Sequence, residues 1–185
     1  MVNELMDDAS RRMESAIEAL RVEFNTVRTG RASTALLDRV QAEYYGARTP
    51  LKQLANLGTP DPRTIAITVY DKAAVQPVVR AIQESDLGLT PNVDGNLIRL
   101  NIPTLTHERR KELVRLVGKM AEESRVAVRN IRRDVIHDLK ELKREGEIAE
   151  DDERRAEEEA QKHTDSHIER INELLRRKEE EILEV

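Results

Sequence analysis

At 185 residues the chain suits one large domain or two small ones. It has no cysteine, which excludes disulfides and thiolate metal sites and points to a reducing compartment. Charged residues make up 36%, and the aromatics are only Phe24, Tyr44, Tyr45 and Tyr70, so the core must be aliphatic and long amphipathic helices are favoured over disorder.

The N-terminus, Met-Val-Asn-Glu-Leu-Met-Asp-Asp, is acidic and lacks the apolar core of a secretory signal. No stretch approaches the ~18 uncharged apolar residues that cross a membrane. A cytoplasmic protein with no membrane partner is expected.

Residues 3–29 predict a first helix. Met6, Ala9, Met13 and Ala16 recur eleven positions on as Ile17, Leu20, Phe24 and Val27. Thr29-Gly30 stops it, with Gly30 where a left-handed residue is wanted. Residues 32–37 suit a short helical turn. From Asp38 the character changes. Val40–Tyr45 and Arg48–Leu51, around Gly46, read as a hairpin. Pro60-Asp-Pro is expected as a turn. Thr64–Tyr70 alternates and is β-branched, so it predicts a strand. Asp71 can cap a helix through Val75, Val78, Val79 and Ile82 to Ser85. Gly88–Gly95 is expected as a loop. Leu97–Ile102 alternates again, and Pro103 ends it. All six prolines lie between Pro50 and Pro103.

Thr106 to Gly146 predicts a helix of about 40 residues, roughly 60 Å long. Leu113, Val117 and Met120 recur as Ser124, Val128 and Ile131, then as Val135, Leu139 and Leu142. Such an eleven-residue period keeps the stripe nearly straight along one face. A third helix is expected from about Asp151 to Glu184. Its bundle face is Ala156, Ala160, His163, His167, Ile171, Leu174 and Ile182.

Three amphipathic helices must pack on one another. The expected fold class is α+β: an elongated three-helix bundle with an inserted β/α/β domain on a two-stranded hinge. Residues 1–30 and 105–185 would form the bundle, and residues 31–104 the insert. The hinge would comprise Thr29, Gly30 and Arg31 on one strand and Pro103, Thr104, Leu105 and Thr106 on the other.

The net charge of −5 is unevenly divided. Residues 106–145 carry 12 Lys/Arg against 8 Asp/Glu, whereas residues 146–185 carry 7 against 15. On the long helix Arg125, Arg129, Arg132 and Arg133 fall within an arc of roughly 100°. That arc is centred more than 90° from the apolar stripe, so these arginines are expected to point away from the core. Arg125 has a local partner in Glu122, whereas Arg129 finds none at four-residue spacing. A basic face of this kind is an electrostatic footprint for RNA.

Val27-Arg-Thr-Gly-Arg-Ala, Tyr44-Tyr-Gly, Asp61-Pro-Arg-Thr, Ser85-Asp-Leu-Gly-Leu-Thr-Pro-Asn, Asn101-Ile-Pro-Thr-Leu-Thr, Glu108-Arg-Arg-Lys-Glu-Leu-Val and Val128-Arg-Asn-Ile-Arg-Arg stand in register. Together they resemble the bacterial ribosome recycling factors over nearly the whole chain. The resemblance implies an L-shaped molecule and a non-enzymatic translation factor that acts after termination. It would bind the ribosome through large-subunit rRNA and, with elongation factor G and GTP, promote subunit separation and release from mRNA. It implies rRNA contacts at Arg129 and Arg132, and at Arg28, Arg31 and Arg110 at the neck.

Other chemistries find little support. His163 and His167 share a helix face, as zinc-binding pairs do, but no third ligand is evident. No phosphate-binding glycine loop and no nucleophile elbow occur. No catalytic residue, metal or cofactor is expected, and the chain is expected to act as a monomer.

Overall fold

The structure, a computed structural model, describes residues 1–184. The chain divides into two compact units. Residues 1–28 and 107–184 form one, and residues 29–106 form the other.

The first unit is a bundle of α1 (Val2–Thr26), α4 (His107–Arg144) and α5 (Glu150–Leu183). Each of the three helices packs on the other two. The eleven-residue stripes become its core. Met6, Met13, Ile17, Leu20 and Phe24 of α1 meet Leu113, Val117, Val128, Ile131, Val135 and Leu139 of α4. Ile171 and Ile182 close the core from α5. Ser124 interrupts the apolar repeat, and its hydroxyl donates to the Ala16 carbonyl at 3.3 Å, so the buried polar group is satisfied. On α5 the buried position beside Ala160 is Thr164, not the expected His163, which is half-exposed. Thr164 fits there because its hydroxyl bonds back to the Ala160 carbonyl at 2.8 Å.

α1 ends at Thr26, three residues before the expected stop. Val27 turns out of the helix in an extended conformation yet stays buried, so the apolar stripe outlasts the hydrogen-bond ladder. α4 ends at Arg144, and Gly146, with φ +79°, follows its last turn as expected. The Gly146 amide bonds Lys143 O and the Glu147 amide bonds Leu142 O, which satisfies two terminal carbonyls. Lys143 then grips the buried carboxylate of Glu153 at 2.6 Å and closes the α4–α5 turn.

The second unit contains β1 (Gln41–Tyr44), β2 (Ala47–Pro50), α2 (Leu51–Leu54), β3 (Ala55–Asp61), β4 (Thr64–Val69), α3 (Val75–Glu84), β5 (Pro91–Asp94) and β6 (Leu97–Asn101). β1 and β2 form the expected hairpin. The other four strands make an antiparallel sheet ordered β3-β4-β6-β5. Two of these strands correct the sequence reading, which had a turn at Pro60–Pro62 and a loop at Gly88–Gly95. Both are edge strands, and edges tolerate the prolines and the broken alternation that hid them. A register shift between Gly58 and Asp61 accommodates Pro60. Leu51 opens a short helix where the sequence suggested the end of a strand.

Ile65, Ile67, Ile98 and Leu100 of the central strands pack on Val78 and Ile82 of α3. The Tyr44 hydroxyl donates to Asp71 at 2.6 Å, tying the hairpin to the turn before α3. That bond pushes the Tyr44 phenol up to about 12. At the opposite end of the sheet, the Ala32 amide bonds Pro62 O and the Ile102 amide bonds Arg63 O. Both chain segments that enter and leave this unit are thereby anchored to the β3–β4 turn. Arg63 also donates to the Thr104 hydroxyl. Gly30 has φ +74°, and a Cβ there would lie 2.9 Å from Leu105 Cγ. A side chain at Gly30 is therefore excluded twice, by conformation and by space.

Candidate nucleic-acid interface

α4 carries the four arginines singled out by the sequence, and the structure distributes them across its exposed face and its boundary with α5. The expectation that all four point away from the core holds for the exposed Arg133 but not for Arg125. The Arg125 side chain is only 17% exposed. Its Nε donates to Asn172 Oδ1 of α5 at 2.9 Å, and its Nη1 donates to Glu122 Oε2 at 2.9 Å. Arg132 is half-buried and likewise turns to α5, donating from Nη1 to Gln161 Oε1 at 2.9 Å. The centre of the arginine arc lies well off the core stripe, but Arg125 and Arg132 form its near edge. Both guanidiniums meet side chains of α5 there.

Arg129 is not without a local partner. Its Nη1 donates to Glu122 Oε1 at 3.0 Å, seven residues back. Two helical turns separate the pair, a span that an extended arginine covers. One carboxylate therefore serves two guanidiniums. Those two hydrogen bonds hold the Glu122 carboxyl below the usual range, with Arg125 contributing first and Arg129 second. Arg133 lies against Asn130 Oδ1 at 3.5 Å, the limit of a hydrogen bond.

The partners differ in charge, and that decides what the face can do. Arg125 and Arg129 share one negative charge. The contacts of Arg132 and Arg133 are with side-chain amides, which orient a guanidinium and leave its charge intact. Among the described residues, the Nε atoms of Arg132 and Arg110 are buried with no hydrogen-bond partner. Burial keeps those Nε atoms from a phosphate, so the fork that Arg132 can offer is made by the Nη donors Gln161 leaves unused, together with its full charge.

The remaining candidates fall in two places. Arg28 and Arg110 belong to the bundle unit, and Arg31 belongs to the sheet unit. Arg28 and Arg31 are exposed, and Arg110 is half-buried in the first turn of α4. The positive end of the α4 dipole adds to its field. Of the hinge candidates, Thr29 is buried, whereas Thr104 and Pro103 are exposed.

Sequence reasoning missed Gln161, Asn172 and the second role of Glu122. Gln161 and Asn172 lie on another helix, 29 and 47 positions from the arginines they meet. No local spacing rule reaches that far. The length of the arginine side chain was the one signal for Glu122.

The histidines show no metal geometry. Among the described residues no group of three or more His, Asp or Glu side chains could hold an ion. The His167 ring is buried, with Nδ1 2.6 Å from the His163 carbonyl and Nε2 3.6 Å from Glu14. No described helix is long and apolar enough to cross a membrane.

Comparison with known proteins agrees across the full length. The ribosome recycling factor family profile matches residues 20–183. The chain is 58% identical over 180 residues to the ribosome-recycling factor of Rubrobacter xylanophilus, covering 97% of each chain. It is 51% identical over 185 residues to that of Bacillus subtilis, covering 100% of both. Among solved structures, it is similar to a solution structure of a ribosome recycling factor, with TM-score 0.75 and 44% identity, covering 100% of this chain and 98% of that one. A second neighbour is the Thermus thermophilus ribosome recycling factor, described together with Escherichia coli elongation factor G bound to the Escherichia coli post-termination complex. It shows TM-score 0.64 and 45% identity, covering 99% of each chain.

Proposed function

The chain belongs to the ribosome recycling factor family, and from that premise we propose that it recycles ribosomes after termination. It binds the post-termination ribosome and, with elongation factor G and GTP, promotes separation of the subunits and release from mRNA. It works in the cytoplasm as a monomer. It is not an enzyme: the partner GTPase supplies the chemistry, and this chain supplies shape and charge.

One observation carries the site reading. Arg132 is half-buried on the longest helix, and the group it meets is a neutral amide rather than a carboxylate, so its charge is kept. Folded rRNA offers phosphates in a fixed array, and recognition there runs through shape and backbone rather than base edges. Arg129, Arg132, Arg133 and the partly neutralised Arg125 form the bundle contact, to which Arg28 and Arg110 of the same unit add, and Arg31 makes its own contact from the sheet unit. The segments Thr29–Arg31 and Pro103–Thr106 serve as the hinge between the units.

The test joins two measurements on the full chain. Sedimentation with large ribosomal subunits across a salt series should show binding that weakens steeply with salt. Light scattering should show subunit splitting that requires elongation factor G and GTP. Binding insensitive to salt would remove rRNA as the ligand. Absence of splitting with both factors present would remove the recycling role.

A further inference from the structure

We propose that Gln161 is a positioning residue for Arg132, one that orients the guanidinium without neutralising it. The inference rests on the reading of the α4 face as the RNA-contacting surface and names a residue that the face depends on.

Gln161 lies on α5 with its amide between two charges. Its Oε1 accepts from Arg132 Nη1 at 2.9 Å. Its Nε2 donates to Asp165 Oδ1 at 2.8 Å, one helical turn further on. A side-chain amide is suited to this relay, because one planar group presents an acceptor at one end and donors at the other. Asp165 fixes the amide, and the amide fixes the arginine. The carboxylate reaches Arg132 only through a neutral group.

The usual arrangement on this protein is different. Arg12 meets Asp134, Arg155 meets Asp152, Arg170 meets Glu14, and Arg176 meets both Glu173 and Glu180. Each of those carboxylates spends the charge of the guanidinium it holds. At Arg132 the structure spends one of the five N–H donors and none of the charge. Nε stays without a protein partner. Because that Nε is buried, it is the other Nη donors and the full charge that stay available to an anion, and a guanidinium held at one corner loses less freedom on binding.

The test compares Gln161→Glu, Gln161→Met and Arg132→Ala in the full chain, binding isolated large ribosomal subunits across a salt series. Gln161→Glu converts the contact with Arg132 into an ion pair and, in losing the amide donor, sets a like charge against Asp165 one helical turn away. It should weaken binding roughly tenfold at low salt and flatten the salt slope by about one unit, because one cation is now paired internally. Its thermal melting should fall only slightly, because Gln161 and Asp165 are both exposed and a like-charge pair one turn apart costs a helix little. Gln161→Met removes the hydrogen bond and keeps the charge. It should lower affinity roughly threefold, the ordering cost of one long side chain, with the slope unchanged. A purely structural role for Gln161 would move melting and leave the slope alone. If Arg132→Ala weakens binding while Gln161→Glu keeps parental affinity and slope, the positioning role is wrong. If Arg132→Ala itself binds like the parent, the reading of the face is wrong, and the inference goes with it. Should Gln161→Glu fail to fold, parental affinity in Gln161→Met would overturn the role.

Discussion

The arginines of α4 and those of the C-terminal half of α5 have the same chemistry and opposite surroundings. On α5, Arg170 holds Glu14 through both Nη atoms, at 2.5 and 2.7 Å. Arg176 and Arg177 share Glu173, and Arg176 also takes Glu180. On α4, Arg132 and Arg133 lie against amides, and Arg125 and Arg129 divide a single carboxylate. A count of arginines would rank the two regions alike. The partners separate them: the α5 arginines are neutralised, Arg170 across to α1 and Arg176 and Arg177 within α5, whereas Arg132 and Arg133 of α4 meet amides and keep their field. The strongly acidic composition of residues 146–185 works in the same direction, since it draws the α5 arginines into pairs.

The sharpest test substitutes both regions in parallel. Arg132→Ala with Arg133→Ala should weaken binding to large subunits on the order of a hundredfold, as loss of two charge-assisted hydrogen bonds predicts. Arg176→Ala with Arg177→Ala removes as many positive charges and should change affinity less than about threefold, because those charges are already balanced. Filter binding at one fixed salt concentration measures both. Equal losses in the two doubles would mean that net charge alone drives binding, and the distinction would collapse.

How much of this was legible in the sequence depends on the range of the interaction. The three helices were, because a repeated stripe from Leu113 to Leu139 can only be buried on one face, and it is. The central strands β4 and β6 were, because Ile65, Ile67, Ile98 and Leu100 alternate inward. The edge strands β3 and β5 were not: β3 has one solvated side, a bulge and a proline, and β5 is mostly exposed and begins at Pro91. The site divided in the same way. Arginine identity and helical phase are local, so the four α4 positions could be named in advance. Their orientation depends on α5, and nothing in residues 106–145 encodes Gln161 or Asn172. The Arg129–Glu122 pair was hidden for a milder reason, since a seven-residue reach exceeds the spacing of ordinary helix pairs.

A smaller effect is expected at the seam between α1 and α5. The Arg170 side chain, through its hydrogen bonds, holds the Glu14 carboxyl below the ordinary glutamate value of 4.5, with smaller help from His167 and Arg21. A depressed folded-state pKa gives stability that is present above the unfolded value and lost as pH falls through the folded one. Melting followed from pH 7 down through 4.5 should therefore drop less steeply in Glu14→Gln than in the parent. Both side chains are about half exposed, so the difference at neutral pH should be on the order of 0.5–1 kcal/mol. Parallel curves would show that this ion pair adds nothing to the bundle. Binding to ribosomal subunits should be unchanged, which keeps this seam distinct from the α4 face.

The smallest effect is expected at Glu122, and its sign carries the information. Among the described residues Glu122 is the carboxylate holding Arg125 and Arg129, and it competes with any phosphate for both. Glu122→Gln keeps a hydrogen-bond acceptor of the same size and removes the competing charge. If the face binds phosphate, affinity for large subunits should rise roughly threefold at low salt, and the gain should shrink as salt screens the added charge. Affinity for an unrelated duplex RNA should rise at least as much, since nothing about a released charge is specific to ribosomal RNA. The ratio between the two affinities would then fall or stay level, which assigns Glu122 the work of restraining a face that would otherwise bind RNA indiscriminately. A clear loss of large-subunit binding in Glu122→Gln, with melting unchanged, would reverse this account. It would mean that Glu122 acts on Arg129 as Gln161 acts on Arg132, by aiming it, and that the fixed direction of the guanidinium outweighs the charge it gives up.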